Sequence, residues 1–185
     1  MTILVVGVIL WCAVHLFSSL APTARRGFLK RREGLYKSIF SLVVIGSLVL
    51  IVIGWRAAEP SFVYAEPNWG RSVNMATMLV ALILFASGRM KTNIKRYVRH
   101  PQLSAVFLWS VGHLLANGDS RSVILFGGLG LWSVVEIVLI NRRDGGWHKP
   151  DPTPAARDLI PLIVGVVLYA VLGWAHQYFA GIATY

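Results

Sequence analysis

Long apolar runs alternate along the chain with short segments rich in Lys, Arg, Gly and Pro. A hydrocarbon core about 30 Å thick takes roughly 20 apolar residues in helical form, so runs of this length predict membrane-spanning helices. Six runs qualify, at residues 3–20, 36–55, 73–87, 102–116, 122–140 and 159–179. The third and fourth are short, which puts their ends in the interface or thins the bilayer around them. The fold class expected is all-α: a polytopic transmembrane helical bundle of about six spans, forming a single domain over residues 1–185.

Composition supports this and charge orients it. Hydrophobic residues make up 56% of the chain and charged residues 14%, with a mean hydropathy of +0.62, which excludes a soluble surface. The net charge of +10 would suit nucleic acid only if the cations shared one folded polar face. They lie instead between apolar segments, so membrane lipid is an expected partner and nucleic acid is not. Arg25, Arg26, Lys30, Arg31, Arg32 and Lys37 gather around the first connection. Arg89, Lys91, Lys95, Arg96 and Arg99 belong to the third, and Arg142, Arg143, Lys149 and Arg157 to the fifth. The other connections hold only Arg56, Arg71 and Arg121. Lys and Arg stay on the cytoplasmic side, so the alternation predicts both termini outside, in a bacterial inner membrane. Met1–Leu20 has no positive n-region and no A-x-A-like site, so the first run is read as a retained helix.

The connection 56–71 combines Pro60 and Pro67 with Phe62, Tyr64 and Trp69, and reads as an interfacial loop with aromatic anchors. The connection 141–158, with Gly145, Gly146, Pro150, Pro152 and Pro154, reads as an irregular cytoplasmic linker. No soluble domain or internal repeat is evident.

Ionisable and metal-ligating side chains inside a membrane are costly unless partnered, so each is a functional candidate. They are His15 in the first span, His113 in the fourth, Glu136 in the fifth and His176 near the end of the sixth, with His100 at the start of the fourth. The single Cys12 excludes an intramolecular disulfide framework and a multi-cysteine metal site, so a metal would rest on histidine. Two histidines on different helices can hold a haem iron axially if they lie at similar depth. At about 1.5 Å per residue, His15 lies roughly 15 Å from Arg25 and His113 roughly 21 Å from Arg99, both near mid-membrane. The alternative is that each hydrogen-bonds a neighbouring helix. Cys12 is either a soft ligand or small apolar filler. Glu136 either pairs with Arg142 and Arg143, about one turn away, or relays protons. Pro101 suits a first helical turn. Arg99 and His100 before it either anchor the helix or bind lipid phosphate, haem propionate or a nucleotide-like cofactor. Asn117-Gly118-Asp119 reads as a tight outer turn, with Asn117 or Asp119 capping the fifth helix.

At these residues the chain resembles the NnrU family over almost its whole length. The resemblance rests on His15-Leu-Phe-Ser18 with Pro22 and Arg25, on Arg99-His100-Pro101, and on Leu108-Trp109 through His113-Leu114-Leu115-Ala116-Asn117-Gly118-Asp119, followed by Leu125-Phe126-Gly127-Gly128. The family name ties its members to denitrification gene clusters. The chain is also similar to 15-cis-zeta-carotene isomerase, a haem b membrane enzyme. That similarity implies iron ligation by His15 and His113, with Ser110 standing where the isomerase has a cysteine.

The leading expectation is therefore a haem b membrane protein, with Arg99 and His100 as propionate or headgroup partners. As an enzyme it would perform redox-gated cis–trans isomerisation of a carotenoid-like polyene. The alternative is a non-catalytic accessory of nitrite or nitric oxide respiration that partners a reductase subunit. A minor alternative is a membrane methyltransferase, because Arg-His-Pro also occurs there. Against it, Gln102-Leu103-Ser104 follows the motif and the fifth connection lacks paired acidic residues.

Overall fold

The computed structural model describes residues 1–181, in which the chain forms six helices. They are α1 (Thr2–Leu20), α2 (Pro22–Ala57), α3 (Gly70–Ser87), α4 (Pro101–Ala116), α5 (Ser120–Asp144) and α6 (Leu159–Ala180). Five are long and apolar enough to cross a membrane. The shorter α4 has 16 residues, or about 24 Å. The expected helical bundle is present, and α3 gains a turn by starting at Gly70 rather than at residue 73.

The first connection departs from expectation. Between α1 and α2 a single residue, Ala21, leaves the helical path (φ −121°, ψ 56°), because a residue before proline is driven out of the α region. Pro22 then starts α2 at once. The basic stretch expected as a loop is helical, and Arg32 (φ −151°, ψ 62°) kinks it away from the spanning part. Pro22, Arg25 and Leu29 are half-buried at helical spacing while Arg26, Lys30 and Arg31 are exposed, the pattern of a helix lying along a surface.

Each helix packs on two neighbours, in the order α2, α1, α5, α4, α3, α6, and α6 returns to α2. Trp55 and Arg56 close this ring by donating to the Ala180 and Tyr178 carbonyls at the end of α6. Between α1 and α2, Gly7 and Gly54 let the backbones meet; a Cβ on Gly54 would stand 2.4 Å from the Leu4 nitrogen. The end carrying the basic connections is called inner below, and the opposite end outer.

The two ends are built differently. At the outer end the loop after α2 is stitched to the α4–α5 turn by backbone hydrogen bonds, from Val63 and Tyr64 to the Gly118 carbonyl and from Ser120 to Ser61. Phe62 and Trp69 in this loop are exposed, as expected of interfacial anchors, whereas Tyr64 turns inward and donates to the Leu114 and Asn117 carbonyls. At the inner end the ties are mostly side chains. Asp158 accepts from the Thr92 hydroxyl and from the backbone and side chain of Asn93, and Asn93 also bonds both Thr153 backbone groups. The linker is irregular, but only after α5 has continued to Asp144 and stopped at Gly145 (φ 68°).

The core follows the same division. Leu4, Val8, Ile51, Trp55, Leu125, Phe126 and Leu129 form an apolar cluster in the outer half. Towards the inner end the buried side chains include Ser19, Ser87, Thr92, Ser133 and Glu136. Ser87 and Ser133 satisfy their hydroxyls on the carbonyl three residues back in their own helices.

Candidate functional site

His15 and His113 occupy the same local unit. In Trp11-Cys12-Ala13-Val14-His15 and in Trp109-Ser110-Val111-Gly112-His113 the tryptophan stands one turn before the histidine. In each, Nδ1–H of the imidazole donates to the tryptophan carbonyl, at 2.8 Å for His15 and 2.9 Å for His113. A carbonyl only accepts, so the proton sits on Nδ1 and Nε2 presents its lone pair. Each bond stays within its own helix, and the expected alternative of a bond to a neighbouring helix is not what these nitrogens make. The repeated Trp-x-x-x-His spacing is a signal visible in the sequence, too short to register as an internal repeat.

The surroundings differ. His15 lies among Trp11 (ring centroids 4.3 Å), Trp132 (5.1 Å) and Phe40 (5.4 Å), contributed by α1, α5 and α2. One turn inward, Ser19 on α1 donates to the buried Glu136 on α5. The other carboxylate oxygen of Glu136 has no hydrogen-bond partner, nor do the buried indole nitrogens of Trp11 and Trp132. The expected pairing of Glu136 with Arg142 and Arg143 is not formed. Arg143 is held instead by Asp144 at 2.7 Å, because adjacent side chains at the exposed helix end meet without burying either charge.

His113 is buried in the outer half. It stacks on Phe126 with centroids 4.3 Å apart and planes 23° from parallel, and Phe126 also meets Trp109 and Trp55 edge-on. Phe126 belongs to a π-helical turn, Val123–Gly127, a distortion that often marks functional positions in helices. His176 on α6 lies close enough to His113 to interact electrostatically, and packs on Phe179.

The two imidazoles are not brought into contact with one another. They touch α5 at Trp132 and Phe126, six residues apart, which is about 9 Å along a helix. The offset between the two histidines, roughly 6 Å when measured from the flanking arginines, thus becomes about 9 Å along α5. His113 lies in the last turn of α4 at the outer end, and His15 in the inner half of α1.

Arg99 and His100 hold the inner end of α5: Arg99 donates to the Gly145 carbonyl at 2.9 Å, and His100 bonds the Asn141 side chain at 2.9 Å. Cys12 packs half-buried against the outer core, as apolar filler does. Asn117-Gly118-Asp119 is the expected outer turn. Asp119 is the cap, accepting from the Arg121 and Ser122 amides and the Ser122 hydroxyl, while Asn117 turns back to the His113 carbonyl. Burial raises the Asp119 carboxyl, but the Ser122 and Arg121 hydrogen bonds and the Arg121 charge outweigh it and hold the group below its ordinary 3.8.

The family model described as NnrU protein matches residues 3–184. The chain belongs to the NnrU family. No curated protein and no solved structure matches it. The motifs of this NnrU protein now have physical roles. His-Leu-Phe-Ser and the segment ending in His113 carry the two imidazole units, Arg-His-Pro fixes α4 to α5, and Asn-Gly-Asp locks the outer loop. Leu-Phe-Gly-Gly builds the π turn and ends in Gly128, where a Cβ would stand 2.7 Å from Val8 of α1.

The residues of this NnrU protein can be tested against haem on their chemistry. Both imidazoles have a fixed tautomer, an Nε2 lone pair not used in the Nδ1 hydrogen bond, and apolar aromatic surroundings, as iron-bound histidine requires. Beside them lie buried polar atoms without partners, the Trp11 indole nitrogen and the Ser110 hydroxyl. As donors they fit. As a pair on one iron they fit only with the Phe126 and Trp132 rings moved off them, because these rings lie against the imidazoles.

Proposed function

We propose that this NnrU-family protein is a haem b-binding protein of the bacterial inner membrane, with His15 and His113 supplying the imidazole ligands. The observation that carries this reading is the duplicated Trp-x-x-x-His unit, in which both Nδ1 protons are tied to the chain and both Nε2 atoms are left as donors. The apolar rings around each histidine exclude water, and the helix carbonyls set ring orientation. When bound, haem would supply an iron centre whose reduction delivers electron density to an apolar substrate. The reaction class proposed is redox-gated cis–trans isomerisation of a carotenoid-like polyene, a substrate that dissolves in the bilayer.

Detergent-solubilised protein from haem-replete cells should show a Soret band, and sharp α and β bands on reduction. The His15→Ala, His113→Ala double variant should lose them. A folded wild-type protein without a Soret band, or full haem retention by the double variant, overturns the reading.

One observation favours a second reading, a non-catalytic accessory of nitrite or nitric oxide respiration. Ser110 stands where the related isomerase has cysteine, and its hydroxyl is packed against Gly130. It offers no thiolate for ligand exchange. Unchanged cis-polyene levels in a dark-grown deletion strain select the accessory role; accumulation of a cis isomer selects the isomerase.

A further inference from the structure

Away from the histidines, α3, α4 and α5 enclose an apolar groove of about 480 Å³. Leu84, Phe107, Leu108, Val134, Ile137 and Val138 line it, with Ser104 and Val98 at its inner end. This volume falls within the range of ligand clefts. Phe107, Val134 and Val138 are about 40% exposed, so the groove opens sideways toward lipid. Residues 104, 107 and 108 sit on a different stripe of α4 from Trp109 and His113, so the groove is separate from the imidazole units.

Its inner end is positively charged. On α5, Val134 and Val138 continue one turn inward to Arg142, and on α4, Ser104 continues one turn back to His100. Arg99 lies beside them, fixed on the Gly145 carbonyl by one nitrogen. Arg96, two residues before Val98, has a buried guanidinium nitrogen with no hydrogen-bond partner. The nearby carboxylate of Asp144 is already held by Arg143 through two hydrogen bonds. A long apolar trough opening to lipid and ending in cations at the membrane surface matches one molecular shape: an acyl chain joined to an anionic headgroup.

We propose that this groove is a binding site for an anionic diacyl phospholipid, with one acyl chain along Phe107, Val134 and Val138 and the phosphate at Arg99 and Arg142. Hydrophobic burial holds the chain, and the cations select the headgroup. Zwitterionic lipids with the same chains lack the net charge that the inner end attracts.

The full chain in detergent micelles would be titrated with phosphatidylglycerol and with phosphatidylcholine of identical acyl chains, and bound lipid read by native mass spectrometry. Phosphatidylglycerol should be retained preferentially. At roughly 1 kcal/mol per cation near the headgroup, Arg142→Gln should weaken its retention about 5-fold without weakening phosphatidylcholine. Arg99→Gln should act in the same direction. Val134→Trp, at a lipid-exposed position that tolerates a larger side chain, should reduce retention of both lipids by filling the groove. Equal retention of the two lipids overturns the headgroup assignment. Retention unaltered by Val134→Trp, or displacement of the lipid by inorganic phosphate alone, overturns the groove. Arg142 is exposed at the inner end of α5, so a folding failure of the Arg99 variant leaves the test intact.

Discussion

In the outer half, His113 lies in a dry aromatic cluster, stacked on Phe126 and roofed by a loop sewn to the α4–α5 turn. In the inner half, His15 has the same tryptophan one turn before it and the same Nδ1 bond, but its neighbourhood includes Ser19, Glu136 and unpartnered indole nitrogens. The opposition follows from direction. The unit sits at nearly the same distance from the N-terminus of α1 and of α4, and those helices run oppositely through the bundle, so the two copies emerge in opposite halves. One local geometry is thus offered in two environments. The inner imidazole has a buried carboxyl in its neighbourhood, while the outer one has rings and a second imidazole, His176.

The sharpest way to break the comparison is to unroof the outer copy. A Cβ on Gly118 would stand 1.8 Å from the Tyr64 carbonyl oxygen, and that contact is backbone, with no rotamer to escape into. Gly118→Val should destabilise the protein by about 3 kcal/mol or more, lowering the unfolding temperature in micelles strongly. Gly27, in the surface-lying helical start of α2, has open space around it, so Gly27→Ala should not destabilise and should raise stability by about 0.5–1 kcal/mol through helix propensity. Equal effects of the two would show that the outer roof is dispensable.

A smaller change tests the inner copy. Removing the Ser19 hydroxyl leaves both Glu136 oxygens buried without a partner, which should cost about 1–3 kcal/mol. Glu136→Gln added to Ser19→Ala should recover part of that loss, since an uncharged amide is less costly to bury. An additive double variant would mean that the bond between α1 and α5 does not carry the effect. The corresponding outer substitution, Ser110→Ala, should be close to neutral, because that hydroxyl has no partner to lose.

The helices and the basic end were legible because hydropathy and Lys/Arg placement report on the lipid solvent directly, with no need of tertiary contacts. The helical state of residues 22–31 was hidden, because a charged run resembles a loop until Pro22 is recognised as a helix start with only Arg32 breaking the path. The histidines were legible as rare intramembrane groups. Their offset was legible only in part, since distance measured from flanking arginines ignores that α4 ends one turn after His113. Glu136 was misplaced for a related reason. Proximity along α5 pointed to Arg142 and Arg143, while the partner it has is Ser19, far away in sequence and brought near only by the parallel packing of α1 on α5. The groove was invisible to sequence because its walls are ordinary apolar residues on three helices.

The mildest perturbation acts on the outer cap through pH. Asp119 accepts three hydrogen bonds from Arg121 and Ser122 and lies 3.5 Å from the Arg121 side chain, which in turn stacks over Trp55 at 4.6 Å. Its carboxyl is held below 3.8 in the folded protein, so its contribution is fully present above that value and is lost as pH falls through the lower folded value. Acidification below about pH 4 should therefore loosen the start of α5, and the inner ties at Asp158, whose carboxyl is lowered by its Thr92 and Asn93 hydrogen bonds, should weaken in the same acid range. Amide exchange at Arg121 and Ser122 should rise, with a stability loss near the 1 kcal/mol typical of an N-cap. Asp119→Asn keeps a capping oxygen but cannot titrate, so it should flatten that acid response while leaving the neutral-pH structure in place. Persistence of the response in Asp119→Asn would move its origin to another carboxylate, and would show that the outer half is held by its backbone stitches and the stacked aromatic core rather than by its cap.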